Sequence, residues 1–266
     1  MEHNSTSTHN NEQTFQEFFE HWLVEQNKIL NELVESTKEH ELLQHFYLTD
    51  GFIQTPDESN LQVLVKRVIR HYEGYYVAKS KWAENHITAM FKPKWLSTLE
   101  DAILWIGGWR PTMAVHLLCA KAGIQIEARI ADIMGGMETG DLSGICPIQL
   151  RMVDELQQET IRVENEITEM LAELQGTVGD GEIVDMNHYV NEMVRAEAEG
   201  RVDGAMARFK EELVRILKMA DDLRLKTLKE VVEILTPLQG VYYLISAAEL
   251  HLRIHEWGKN RDAKQA

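Results

Sequence analysis

The chain has 266 residues, 44% of them hydrophobic, with 43 acidic against 27 basic side chains and a formal charge of −16. That apolar content supports a packed core and excludes a disordered chain, while the acidic balance repels nucleic-acid phosphates unless a basic patch is found. Cysteine is confined to Cys119 and Cys146, which excludes a disulfide scaffold or zinc ribbon and suits a reducing, intracellular compartment, and no apolar run reaches the roughly 18–20 residues of a membrane span.

The N-terminal stretch 1–14 is polar, lacks the basic-then-apolar form of a signal peptide, and reads as a disordered tail. A first helix is expected over 14–47, where Phe15, Phe18, Phe19, Trp22, Leu23, Ile29, Leu30 and Leu33 form an apolar stripe. Residues 49–60 carry Asp-Gly and Thr-Pro turn chemistry. A second helix follows over 60–90, with Val63, Leu64, Val68, Ile69 and Tyr72 as its buried side, and Pro93 interrupts the chain after it. Ser97 or Thr98 caps a third helix through Ile106. Gly107 and Gly108 then end it as a C-cap, and Pro111 opens a fourth helix over 111–135. On this reading Trp105 and Trp109 flank a sharp corner and pack into the core, and Arg110 bonds the carbonyls that the corner leaves free.

Residues 135–146 form a connection. Cys146 is a weak N-cap ahead of Pro147 at the first helical position, with Gln149 two residues on. Val153, Leu156, Thr160, Val163, Ile167, Met170 and Leu174 then repeat at alternating spacings of three and four, a heptad seam with acidic flanks that include Glu164. The seam suits either the chain's own core or a second copy. A glycine-rich break at 176–185 precedes a helix over 187–235, with interruptions expected near Gly200 and Gly204. Thr236, Pro237 and Gln239 make a capping box for a last helix that ends at Trp257, with Gly258 as its C-cap and 259–266 as a loose tail. The fold class is therefore all-α: a multi-helix antiparallel bundle of roughly eight helices with short loops, spanning 15–258 as one domain.

Catalytic motifs are absent: there is no glycine-rich phosphate loop after a strand, no G-x-S-x-G and no H-E-x-x-H, so no enzymatic activity is expected. His116 and Cys119 lie three apart on a helix with no carboxylate to complete a triad, and read as packing. His251 and His255 lie four apart and share a helical face. They could ligate one metal ion, or one of them a haem, but both cannot take opposite axial positions of one haem. With eleven histidines in the chain, a chance pair near a helix C-terminus is the simpler reading, and no metal site is assigned. Residues 63–82 are basic and amphipathic, with Lys66, Arg67, Arg70, Lys79 and Lys81. Such a helix can bind a partner or an acidic membrane surface, but it reads more simply as a core helix whose solvated face answers the acidic heptad helix. The segment before the heptads, 140–152, is broken and not basic, unlike a leucine-zipper protein.

Four stretches taken together, "HWLVEQNKILNEL" (21–33), "LEDAILWIGGWRP" (99–111), "GDLSGICPIQLRMVDELQQET" (140–160) and "ADDLRLKTLKEVVEILTPLQGVYYLISAAELHLRIHEWG" (220–258), resemble the Delay-of-Germination domain of plants. The same domain forms the C-terminal part of the TGA-type bZIP transcription factors. The resemblance runs in order from Phe15 to Gly258. Its most specific elements are W-[IL]-G-G-[WF]-R, here Trp105, Gly107, Gly108, Trp109 and Arg110 around Ile106, and A-D-x-L-R at 220–224. Because the similar region begins near residue 15, a basic region and zipper are not expected upstream. The resemblance implies a non-enzymatic regulator in seed dormancy, germination and abscisic-acid signalling, placed in the nucleus and also the cytoplasm. Its implied partners are proteins, type 2C protein phosphatases or transcription regulators, together with self-association. Sequence-specific DNA binding is a family label; direct DNA contact is expected only through a bZIP partner. No cofactor is required, although haem at His251 and His255 is implied as an alternative, with the chain then a haem- or small-ligand sensor.

Overall fold

The computed structural model of the chain describes residues 5–49, 58–122, 144–177 and 192–265, with the backbone alone over 5–14, 44–49 and 192–202. Among the described residues there are seven helices and no strand: α1 (Ser5–Thr49), α2 (Ser59–Phe91), α3 (Thr98–Ile103), α4 (Thr112–Lys121), α5 (Pro147–Gly176), α6 (Glu192–Ile234) and α7 (Pro237–Gln265). The all-α bundle expected from the apolar periodicity is what forms. The reading of 123–135 as helix, and most of the connection and the glycine-rich break, lie outside the described residues.

Local chemistry accounts for several helix starts. Ser97 and Glu100 form a reciprocal capping box on α3: the Glu100 N–H donates to Ser97 Oγ at 3.2 Å and the Ser97 N–H to Glu100 Oε2 at 2.8 Å. Thr236 and Gln239 do the same on α7, at 3.0 and 3.3 Å. On α5 the Cys146 N–H donates to Gln149 Oε1 at 3.0 Å. The Gln149 amide in turn donates to the Ile234 carbonyl at 2.9 Å and Gln239 Oε1 at 2.8 Å. One glutamine thus ties the start of α5 to the junction between α6 and α7.

Two apolar clusters fill the bundle. One joins Ile29 and Leu33 of α1, Val65 and Val68 of α2, Val115 and Leu118 of α4, Val153 and Leu156 of α5, Val231 of α6 and Leu244 of α7. The other joins Phe15, Phe19 and Trp22 of α1, Ile87 and Met90 of α2, Ile167 of α5, and Ile216 and Leu217 of α6, with Ile106 and Trp95 from the connections. Phe15 and Phe19 of α1 share a cluster with Ile87 and Met90 of α2, and Ile167 of α5 lies with Ile216 and Leu217 of α6 while Val153 and Leu156 lie with Leu228 and Val231, so those pairs run antiparallel. The heptad seam faces this interior: Val153, Leu156, Thr160 and Ile167 are all buried, against α6.

Several boundaries differ from the sequence reading. α1 begins at Ser5, ahead of the expected 14, and α6 runs unbroken through Gly200 and Gly204. α3 stops at Ile103 with Leu104 as its C-cap, so Gly107 and Gly108 do not cap it. Gly258 is not a C-cap either: α7 continues past it to Gln265. Gly258 is where α7 crosses the start of α3. A Cβ there would fall 1.9 Å from Ser97 Oγ, so only glycine allows this approach. Beyond the crossing, Asp262 accepts the Thr98 N–H at 2.9 Å, which ties 259–265 to the fold.

Candidate functional site

Between α3 and α4 the chain closes a two-residue turn. The Trp105 N–H donates to the Gly108 carbonyl at 2.7 Å and the Gly108 N–H to the Trp105 carbonyl at 3.2 Å. Both central residues have positive φ, +45° at Ile106 and +65° at Gly107, as a two-residue hairpin turn of the primed type requires. Gly107 is fixed by space as well: a Cβ there would lie 2.7 Å from the Met90 carbonyl oxygen. Ile106 is the anomaly, because a β-branched residue is strained in the left-handed region. Its side chain is buried in the second cluster. Burial of that size contributes about 1.5–3 kcal/mol, comparable to the strain.

The turn aims its carbonyls inward, and Arg224 and Lys79 receive them. Arg224 donates to the carbonyls of Trp105, of Ile106 at 2.9 Å and of Trp109 at 2.6 Å, and pairs with Asp221. Lys79 Nζ donates to the Gly107 carbonyl at 2.7 Å and to Asp221 Oδ1 at 2.8 Å. Lys79, Asp221 and Arg224 are all buried. Burial lowers the Lys79 ammonium to about 8, with Asp221 pulling it back up and Arg224 adding to the fall. The two signature elements of the sequence, 105–110 and 220–224, are therefore one joint. Gly108 belongs to it, since a Cβ there would fall 2.8 Å from the Arg224 guanidinium carbon.

Arg110 does not bond the corner carbonyls. Its guanidinium is partly exposed and donates to Glu164 Oε2 at 2.7 Å. Glu164, read from sequence as part of an acidic flank, is buried, and Oε1 accepts the Thr112 N–H at 2.7 Å, covering an open donor at the start of α4. Trp105 and Trp109 are half-buried rather than deep in the core. The Trp105 indole N–H donates to Thr168 Oγ1 at 3.0 Å. Lys79, expected on a solvated basic face, is interior, and Arg67 pairs with Glu32 of α1 rather than with the acidic helix α5.

The two histidines of α7 have different surroundings. His255 Nδ1 lies 3.0 and 3.1 Å from the Glu100 carboxylate. Burial would raise the Glu100 carboxyl, but the bonds from His255 and Ser97 outweigh it and hold the group below the usual carboxylate range. His251 lies 5.4 Å from the Trp22 ring and 5.6 Å from the Trp109 ring, centroid to centroid. It lines a cavity of about 170 Å³ together with Phe19, Tyr75, Tyr76 and Trp109. Burial pushes the His251 imidazole down to about 4, with Glu100 opposing and His255 reinforcing the shift.

This pair does not fit a haem in the arrangement seen here. The cavity that His251 lines is below the roughly 300–1,000 Å³ of sites for drug-sized ligands, and a porphyrin is larger than most of these. Among the described residues no three His, Cys, Asp or Glu side chains gather to hold a metal ion. No described helix is long and apolar enough to cross a membrane. His116 is exposed beside Gln157, and Cys119 packs at the edge of the first cluster.

With this geometry in hand, comparison with known proteins gives a consistent picture. The DOG1 family, described as seed dormancy control, matches residues 30–120. The chain is 29% identical to Protein DOG1-like 1 of Arabidopsis thaliana, over 96% of this chain and 92% of that one. It is 27% identical to Protein RESPONSE TO ABA AND SALT 1 of the same plant, over 83% and 92%. Similarity to Transcription factor TGA2 is more distant, at 24% over 88% of this chain and 60% of that protein.

Proposed function

We infer, from the premise that the chain belongs with the DOG1-like proteins, that it is a regulator in seed dormancy or the abscisic-acid response and that it acts by binding other proteins. The family match and the names of its relatives support the regulatory role. One structural observation supports the mode of action. Several ionisable residues at the joint are engaged within the fold: Arg224 and Lys79 with carbonyls and Asp221, the partly exposed Arg110 with Glu164, and His255 with Glu100. Such groups hold the scaffold together, and the role left to the molecule is carried by its exterior. We assign no catalytic residue. Likeness to a transcription factor supports a nuclear site of action, alongside the cytoplasm. The basic stretch of α2 gives no continuous basic face, since Lys79 is buried and Arg67 is paired with Glu32, so direct DNA contact is not expected of it without a bZIP partner.

The partner class favoured by the resemblance is a type 2C protein phosphatase. Titration of such a phosphatase with the purified full chain, followed by calorimetry, is expected to give a saturable complex with a Kd on the order of 1 μM or tighter. Absence of heat and of co-elution at about 100 μM, with the chain folded, contradicts the reading. Sequence-dependent retardation of promoter DNA by the chain alone contradicts the statement about DNA.

A further inference from the structure

The partly open cavity beside His251 is lined by elements distant in sequence: Phe15, Phe19 and Trp22 of α1, Tyr75 and Tyr76 of α2, Trp109 after the turn, and His251 of α7. Its volume of about 170 Å³ is close to that of engineered apolar cavities, roughly 150 Å³, that take up benzene. Its lining differs from theirs in being aromatic and in carrying polar groups with nothing to bond. Neither the His251 ring nitrogens nor the hydroxyls of Tyr75 and Tyr76 make a hydrogen bond among the described residues. Neighbouring hydroxyls are bonded, Tyr72 to Gln26 at 2.8 Å and Tyr243 to the Ala114 carbonyl at 3.2 Å. These three side chains are partly buried, and their polar atoms remain accessible to a ligand.

We propose that this cavity is a binding site for a small, uncharged, single-ring aromatic compound bearing a hydroxyl or carbonyl group. Size admits one ring and one or two further heavy atoms. The aromatic walls offer edge-to-face and offset contacts to a ring. The imidazole and the two phenols supply a hydrogen-bond acceptor and donors for a single polar substituent. Burial keeps His251 neutral at physiological pH, so it offers no charge. The cations that also line the cavity, Lys79 and Arg224, already face Asp221 and the turn carbonyls. Glu100 acts on Tyr75 and His251 as a second negative charge beside Asp221, so the two cations are balanced and an anion would be desolvated without a net counter-charge. The site goes beyond the role as a protein-binding regulator and does not depend on it.

The test is titration of the purified full chain with phenol, toluene and benzoate, read by the fluorescence of the tryptophans and by ligand-observed NMR. Phenol is expected to saturate with a Kd near 1 mM or below, with benzoate at least about tenfold weaker. His251→Phe should reduce phenol to the affinity of toluene and leave toluene unchanged. Ala247→Leu, which fills the cavity from its wall, should abolish both. Should Ala247→Leu fail to fold, intermolecular nuclear Overhauser effects from phenol to the Trp22 and Trp109 indoles of the unaltered chain decide the location. Phenol that does not saturate, benzoate that binds as tightly, binding that survives in a folded Ala247→Leu, or Overhauser effects to Trp82, Trp105 or Trp257 alone each overturn the proposal.

Discussion

Arg224 is the residue on which the turn depends most. Its fork donates to three backbone carbonyls and a carboxylate at once, which a lysine ammonium cannot reproduce. Removing it leaves the Ile106 and Trp109 carbonyls without this donor, the Trp105 carbonyl with the Gly108 N–H, and Asp221 with Lys79 alone. Arg224→Ala is expected to lose about 3–5 kcal/mol of unfolding free energy in urea, and Arg224→Lys to recover little of it; a loss below about 1 kcal/mol contradicts the role. His251 gives the residue-scale prediction in pH. Its folded pKa is about 4 against 6.5 unfolded, so between those values the unfolded chain binds the extra proton. The contribution is full above about pH 6.5 and is lost as pH falls towards 4. Replacing His251 with phenylalanine should flatten the stability-versus-pH curve in that window while leaving the carboxylate-driven fall below it. An unchanged slope between pH 6.5 and 4 means that His251 is not buried neutral.

At the scale of elements, the starts of α3, α5 and α7 were legible in sequence because a cap is a local arrangement of three or four residues. Much of the α5 face was legible for the same reason, since spacing alone selects Val153, Leu156, Thr160 and Ile167. What the seam packs on was not, and the structure gives the answer in α6. Leu156→Ala should accordingly lower the stability of a single chain by about 2–5 kcal/mol without altering its mass in analytical ultracentrifugation; a change in oligomeric state with little loss of stability contradicts an inward-facing seam. The positions that sequence misread share one physical cause. Lys79 and Glu164 looked like solvated charges because their partners, Asp221 and Gly107 in one case and Arg110 and Thr112 in the other, arrive from distant segments. Gly258 looked like a terminator because glycine commonly is one. Only the crossing of α7 over Ser97 reveals why a side chain is excluded there.

For the whole molecule, the bundle has two apolar clusters, and the turn at 105–108 enters the second while its carbonyls are held by α2 and α6. The turn is thereby a joint between segments that sequence showed as two separate family signatures. Its backbone runs against local preference at Ile106, so it persists only because the surrounding structure determines it. This is why the signature could be recognised but its geometry could not be read: the strain is local and its compensation is not. The account rests on that joint being a rigid, buried part of the scaffold rather than an open loop available for binding or chemistry. Native-state hydrogen exchange of the unaltered chain tests it most directly, through the Trp105 amide that donates to the Gly108 carbonyl at 2.7 Å. The account predicts that this amide exchanges as slowly as the core amides of α6 around Leu217, through opening of the domain as a unit. Exchange at the rate of a solvent-exposed loop contradicts it.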